Sequence, residues 1–393
     1  MITGKGGFTS GAMSPRRGGV VIAGGGTAGH VLPGLAIAIA LVERSIVSGP
    51  ECVHLVGTRR GIEADLVPEA GFGLTMLPGR GIQRRLTPAN LVALSGLLAA
   101  LFKASYLLIR YRPMVVLATG GYASIPCGLA AAMLRIPLLV AEQNAVAGAA
   151  NRLLGRFAVA SSVAFRETGL PREVLTGNPV RSRVRDLSHL SSRAVQRERL
   201  GLSDIPVLLA FGGSLGARRL NNAVADMVSQ WDGEGIVVYH VVGHRDWPDY
   251  VTKQPDVARL VEYRPIEYET ELPEVMAASD LVICRAGATT VAELTVIGRA
   301  AVLVPLPGAP RDHQARNASI LVDAGAAVVV NDVDLDGGSL EKMIRELLED
   351  STALEGMGER SRGMGRGDAA DLVADLVGRV ASGKSVCSED DHA

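Results

Sequence analysis

The chain has 393 residues, 48% of them hydrophobic, with 46 glycines, 4% aromatic residues and a formal net charge of −1. That length is more than one hydrophobic core organises, and a chain rich in Gly and small apolar residues but poor in aromatics suits parallel α/β layers, so two such domains are expected. The near-neutral charge argues against a general nucleic-acid binder, and four scattered cysteines (Cys52, Cys127, Cys284 and Cys387) with no CxxC pair argue against a disulfide frame or a zinc site and for a reducing cytoplasm.

Residues 1–19 are Gly/Ser-rich, carry Arg16 and Arg17, and lack the apolar core of a signal peptide. They are expected as a disordered tail, in which Met13 offers a second start. Residues 20–23 read as a strand running into Gly24-Gly25-Gly26-Thr27-Ala28-Gly29-His30, with a helix over 33–45 whose Pro33 sits in the first turn, where its missing N–H costs little. A strand over 53–56 leads through Gly57-Thr58-Arg59-Arg60 into a helix ending near Glu69, and a long helix covers 91–110. A strand over 115–118 ends in Thr119-Gly120-Gly121-Tyr122. After a helix over 125–134, a strand over 138–141 ends in Glu142-Gln143-Asn144. Alternating βα units predict a doubly wound parallel sheet, whose ligands sit beyond the carboxyl ends of the strands. His30, Thr119 to Tyr122 and Asn144 all fall at such ends and should converge on one cleft.

Gly177-Asn178-Pro179-Val180-Arg181 reads as a domain exit, with a polar linker over 179–205. The pattern then restarts. Residues 207–211 form a strand, Gly212-Gly213-Ser214-Leu215-Gly216-Ala217 a Gly-rich turn, and a helix follows through Asn221 and Met227. Further strands are expected over 237–242, 281–284, 301–304 and 327–330, a last helix over 368–380 and a loose tail over 381–393. The fold class is α/β: two Rossmann-like domains, 20–178 and 206–367, facing each other across a cleft.

The stretch Ile283-Cys284-Arg285-Ala286-Gly287-Ala288-Thr289-Thr290-Val291-Ala292-Glu293-Leu294 is the richest in chemistry. A strand, a turn of small residues and a helix opening at Thr289 or Thr290 make an anion pocket, because free N–H groups and the positive end of the helix dipole face one spot. Glu293 has two readings. It closes a capping box with Thr290, or it accepts both hydroxyls of a ribose, as acids do in dinucleotide sites. The second reading describes a nucleoside diphosphate, with its phosphates on the turn.

Other signals are weaker. Gly24-x-Gly26-x-x-Gly29 matches the dinucleotide fingerprint, but Thr58, Arg59 and Arg60 stand where the expected acid belongs, which leaves NADP as a rival through a 2′-phosphate. His30 reads either as a helix-start residue bonded to backbone or as a catalytic base. Asp312-His313-Gln314 opens a helix, with Asp312 as N-cap or with the Gln314 amide on sugar hydroxyls. Asp332-x-Asp334-x-Asp336 lacks the acid that completes a calcium loop and reads as a solvated turn, and His244-Arg245-Asp246 lacks the kinase context. No clustered carboxylates suggest a metal. Between Glu69 and Glu142 there are seven basic residues and no acid. Within that interval the loop 79–88 carries Arg80, Arg84 and Arg85 beside Ile82 and Leu86, a composition that fits an anionic membrane surface. The apolar residues of 91–102 are expected mostly in the core.

Taken together, the segments GGGTAGHVLPGLA (24–36), ATGGYAS (118–124), AEQNAVAGAANR (141–152), GNPVR (177–181), GGSLGARRLN (212–221), CRAGATTVAEL (284–294) and DHQARNA (312–318) resemble the MurG family of peptidoglycan synthesis, in the family's order. The resemblance implies a GT-B glycosyltransferase fold and inverting, metal-independent transfer of N-acetylglucosamine from UDP-GlcNAc to lipid I (undecaprenyl-pyrophosphoryl-MurNAc-pentapeptide) with no cofactor. It also implies a peripheral place on the cytoplasmic face of the bacterial membrane. By position it puts Ala288, Thr289 and Thr290 on the diphosphate, Glu293 on the ribose, and Gln314 and Asn144 on the GlcNAc. Thr27, Arg181 and Ser214 line the donor cleft, Ala28 and Gly29 belong to the loop that receives the acceptor pyrophosphate, and His30 is the base. Ala28 stands where the family usually has Gly, and Leu215 where it usually has Gln. The rivals are an NADP oxidoreductase, a UDP-GlcNAc epimerase of the same fold and a catalytically silent membrane scaffold.

Overall fold

The computed structural model describes residues 18–58, 61–79, 89–190 and 193–384. The expected tails through residue 17 and beyond 384, Arg59 and Arg60, and the basic loop from Arg80 to Pro88 lie outside them.

The first sheet is built from β1 (Val20–Gly24), β2 (Val53–Thr58), β3 (Gly73–Leu77), β4 (Val115–Gly120), β5 (Leu138–Glu142), β6 (Ala160–Val163) and β7 (Glu173–Leu175). Its helices are α1 (Ala28–Glu43), α2 (Glu63–Glu69), α3 (Ala89–Tyr111), α4 (Ser124–Met133) and α5 (Ala149–Gly155), and α6 (Ser182–Leu190) and α7 (Arg193–Arg199) follow it. The second sheet takes β8 (Val207–Phe211), β9 (Ile236–Val241), β10 (Val261–Ile266), β11 (Leu281–Cys284), β12 (Ala300–Leu303) and β13 (Ala327–Val329). With it go α8 (Arg218–Gln230), α9 (Trp247–Val251), α10 (Leu272–Ala278), α11 (Ala288–Ile297), α12 (His313–Asp323), α13 (Gly337–Glu349), α14 (Ser351–Met364) and α15 (Ala369–Ala381).

The strand orders are β3-β2-β1-β4-β5-β6-β7 and β10-β9-β8-β11-β12-β13, every neighbour parallel. Central strands such as VVIAG and LVIC are apolar on both faces because helices cover both, and Ile22, Leu117, Leu209 and Ile283 are at most 1% exposed. The order reverses between β1 and β4 and again between β8 and β11. Each reversal opens a crevice at the carboxyl ends, because the two following helices leave on opposite faces. The Gly-rich turns after β1, β4 and β8 and the small-residue turn after β11 all lie at these two reversals.

The last helix returns to the first sheet. Val373, Leu376 and Val377 of α15 join Ile37 and Leu41 of α1 in one core, and Arg44 clasps Asp375 with two bonds of 2.8 and 2.7 Å. The chain therefore crosses between the sheets twice, at Gly177–Asn178 and at 363–368.

Four expectations change. The edge strands β3, β7 and β10 escape a search for apolar runs because one flank faces solvent. Glu262, Arg264 and Pro265 sit in β10, where an edge tolerates charge and a missing N–H. The stretch expected as a polar linker folds as α6 and α7, with Val184 and Leu187 of α6 entering the second core. That is too sparse an apolar face to read against so many arginines. The acidic run is not simply solvated: Asp332 pairs with Arg285 at 2.6 Å and Arg219 at 3.4 Å, and Asp336 caps α13 by accepting from Ser339 N–H at 2.9 Å. Finally, the apolar side of α3 is only partly core. Ala100 and Ala104 are buried, but Leu98, Phe102, Tyr106 and Ile109 are 51%, 76%, 71% and 57% exposed.

Candidate active site

α1 begins at Ala28, five residues earlier than its apolar pattern suggests, with Thr27 as an extended N-cap. His30 is therefore the third residue of the helix. Its Nδ1 lies 3.1 Å from Thr27 Oγ1, while the Thr119 hydroxyl donates to its carbonyl at 3.2 Å. The ring rests on Gly120 and Gly121, whose φ values of 105° and 78° favour glycine. A Cβ on Gly120 would stand 2.8 Å from His30 Cδ2, so only glycine lets the imidazole lie there. Burial holds the His30 imidazole below its ordinary value of 6.5, with the carboxylates of Glu142 and Glu63 pulling the other way. Neutral imidazole is the form a general base needs.

Two buried carboxylates shape this crevice, and neither was singled out from the sequence. Glu63, 1% exposed, accepts from Gly26 N–H at 3.1 Å, Thr58 N–H at 2.7 Å and the Thr58 hydroxyl at 2.9 Å. It fits because Gly25, Gly57 and Gly61 have no Cβ; one on each would fall 2.3, 2.5 and 1.8 Å from its side chain. Glu142, 4% exposed, accepts from Asn144 N–H at 3.0 Å, Asn144 Nδ2 at 3.2 Å, Gly148 N–H at 2.9 Å and Asn151 Nδ2 at 2.9 Å. The legible signal for Glu63 was an acid flanked by glycines just past β2.

Across the crevice, α11 starts at Ala288 with Gly287 as N-cap. Thr289 and Thr290 are thus its second and third residues, and Glu293 sits in the second turn. The capping-box reading fails for that reason: Thr290 is already helical and cannot be the cap that Glu293 serves. Glu293, 4% exposed, instead receives Arg181 Nε at 3.2 Å and Nη2 at 2.8 Å, both on Oε1. Burial pushes its carboxyl up, and Arg181 opposes that rise. The Thr289 hydroxyl is buried without a partner. Arg285 is drawn away to the carbonyls of Val304 and Pro305 and to Asp332, which clears the mouth of the turn.

Asn317 joins the two halves. Its Oδ1 accepts from Ala145 N–H at 2.9 Å, and its Nδ2 donates to Asn144 Oδ1 at 3.2 Å and to the Ala286 carbonyl at 3.1 Å. Asn144 is thereby held between the first sheet and the α11 turn. α12 also brings His313 near enough to His30 to depress its protonation. Before α12, Arg311 and Asp312 both adopt left-handed φ values of 57° and 52°, a costly pair for non-glycine residues beside a cleft. Asp312 precedes α12 as expected, but its side chain accepts no capping bond.

Residues 20–162 match the glycosyltransferase family 28 N-terminal domain and residues 207–373 its C-terminal domain. A curated relative from Acetivibrio thermocellus, a UDP-N-acetylglucosamine--N-acetylmuramyl-(pentapeptide) pyrophosphoryl-undecaprenol N-acetylglucosamine transferase, is 34% identical over 374 residues, covering 93% of this chain and 99% of the relative. The crystal structure of Acinetobacter baumannii MurG is similar with a TM-score of 0.73 and 30% identity, over 92% of this chain and 99% of that one. The chain belongs to the MurG family of glycosyltransferases. A UDP-GlcNAc 2-epimerase from Neisseria meningitidis, crystallised with UDP-GlcNAc, is similar at 13% identity with a TM-score of 0.61, over 91% of this chain and 98% of that one, which shows the shared GT-B fold alone.

The MurG-type residues that remain are placed as follows. Gln314 lies one residue into α12, where its Oε1 accepts from Leu306 N–H at 2.9 Å. Ser214 and Leu215 are exposed on the turn after β8, and the Ser214 carbonyl accepts from His244 N–H at 3.2 Å. Thr27 and Ala28 are exposed at the start of α1 and Gly29 is half-buried. His244, which merely imitated a kinase motif, stacks on the half-exposed Tyr268 at 4.8 Å and meets Glu267 at 2.8 Å.

Proposed function

We propose that this MurG-family protein transfers N-acetylglucosamine from UDP-GlcNAc to the C4 hydroxyl of the MurNAc sugar in lipid I, giving lipid II, on the cytoplasmic face of the membrane. The observation that carries this reading is the presence of His30 at one sheet reversal and the start of α11 at the other, with Asn317 tying the Asn144–Ala145 segment of the first half to the α11 turn of the second.

In the proposed reaction the donor diphosphate lies on the first turn of α11, against Ala288, Thr289 and Thr290, with Glu293 on the ribose. Gln314 and Asn144 hold the sugar, and Thr27, Ser214 and Arg181 line the donor cleft. Neutral His30 takes the proton from the acceptor hydroxyl as its oxygen bonds to the anomeric carbon. The bond to UDP breaks on the opposite face, so the configuration inverts. Charge growing on the leaving diphosphate meets the free N–H groups and dipole of α11, with no reorganisation at the moment of reaction. The N–H groups of Ala28 and Gly29, at the start of α1, are offered to the acceptor pyrophosphate. Glu63 weighs against a dinucleotide on the first Gly loop, because it already takes the Gly26 N–H that such a phosphate would use, whereas the N–H groups of Ala28 and Gly29 are left for the acceptor.

Transfer to a lipid I analogue tests the reading. The same assay tests its independence of metal: because α11 supplies the positive end, product should form undiminished in EDTA. Loss of transfer in EDTA with rescue by Mg²⁺ or Mn²⁺ would sink that part.

The membrane reading rests on α3. Leu98, Phe102, Tyr106 and Ile109 follow one another at helical spacing on one exposed face, with Arg110 and Arg112 exposed near its end. Exposed Met133, Leu134 and Arg135 stand at the end of the neighbouring α4. An apolar strip among basic residues suits an anionic lipid surface, each basic residue adding about 1 kcal/mol there. No helix among the described residues is long and apolar enough to cross a membrane. Phe102→Glu should therefore cut co-sedimentation with phosphatidylglycerol vesicles several-fold, and salt should weaken the wild-type binding. Equal binding by both proteins removes α3 from the contact.

A further inference from the structure

A cavity of about 580 Å³ lies behind α11, walled by both crossings between the sheets: Gly177–Asn178 on one side and 363–366 on the other. That volume falls within the range of small-molecule sites, about 300–1,000 Å³. Apart from Ala288, which also opens the proposed diphosphate turn, its lining shares no residue with the proposed donor contacts. Ala288, Val291, Ala292, Thr295 and Val296 line it, spaced as one face of a helix. Thr289, Thr290 and Glu293, at about 100° per residue, point from the other face of α11. The helix therefore stands between the two sites.

Two features describe an occupant. Phe165, Ile320 and Met364 face the α11 residues and give the cavity an apolar wall, although polar and apolar surface line it about equally. The exposed residues Arg166 and Arg366 also line the cavity, and none of the lining residues is acidic.

We propose that this cavity is a binding site for a small amphipathic anion: an aryl or acyl body between α11 and α12, and an anionic group on Arg166 and Arg366. Because the two crossings form its walls, an occupant links them and restrains opening of the cleft. The site goes beyond the donor and acceptor reading and does not depend on it.

The probe is 8-anilinonaphthalene-1-sulfonate, which carries an aryl body and one anionic group. Its fluorescence is titrated with the full chain in saturating UDP, against Ala292→Phe, which fills the cavity, and Arg166→Glu/Arg366→Glu, which reverses the charge lining it. Melting temperature and far-ultraviolet circular dichroism check that each variant folds. The proposal expects a saturable one-to-one component that persists in UDP, is lost in Ala292→Phe and is weakened ten-fold or more in the arginine pair. Unchanged binding in the variants puts the probe elsewhere, on α3 for example, and overturns the proposal; so does displacement by UDP. If Ala292→Phe does not fold, the exposed arginine pair decides alone.

Discussion

Replacing His30 by alanine should lower kcat by about 10²–10⁴-fold, the usual contribution of a positioned general base. UDP-GlcNAc affinity should stay near normal, because His30 sits on α1 of the first sheet while the proposed donor contacts are mostly on α11 and α12. The fold should survive, since removing the ring from the surface of Gly120 and Gly121 opens space without stranding a charge. The pH profile gives a second readout. Burial lowers the His30 value from 6.5, so the base form predominates at neutral pH. In the wild type kcat/KM should hold level there and fall on the acid side, with a midpoint below 6.5, as the ring gains its proton. Near-normal turnover by His30→Ala would remove this residue from the chemistry.

Glu293→Ala should weaken UDP-GlcNAc binding by ten-fold or more. Hydrogen bonds to a charged group are worth about 1.5–3 kcal/mol, and the proposed ribose loses such an acceptor. The buried carboxylate also anchors Arg181, so the substitution frees a guanidinium that the first crossing holds against α11. Calorimetry on Glu293→Ala and Glu293→Gln separates the two effects. Glutamine keeps an acceptor oxygen and the shape, so it should bind the donor better than alanine does. Unchanged UDP affinity with a lower melting temperature would reduce Glu293 to a tie between the crossing and the helix.

The central strands and the turns that end them were legible because a doubly covered parallel strand leaves an unbroken apolar run, as in VVIAG and LVIC. His30 and the turn at Thr119 to Tyr122 lie together at the first sheet reversal, as their carboxyl-end positions suggest, whereas Asn144, at the end of β5 one strand further on, meets the α11 turn through Asn317. What stayed hidden was set by tertiary contact. Glu142 carries no local mark that separates it from a surface acid, and Glu63 has just its neighbouring glycines; their backbone partners arrive from a loop 37 residues away in the first case and close by in the second. Asn317 lies inside the segment DHQARNA, yet its bonds reach across 172 residues. The helix N-termini were misplaced at both α1 and α11, because a start marked by Thr-Ala-Gly or Gly-Ala-Thr carries no apolar period. The exposure of Phe102 was likewise invisible: an apolar face reads the same whether it meets a core or a lipid surface.

Assay of labelled GlcNAc transfer from UDP-GlcNAc to a lipid I analogue decides whether the crevice is a transferase site. A labelled disaccharide lipid should form in one step, with its new glycosidic bond inverted relative to the donor. No labelled lipid, with UDP-GlcNAc epimerised instead or with NADPH bound tightly in its place, would contradict the transferase reading.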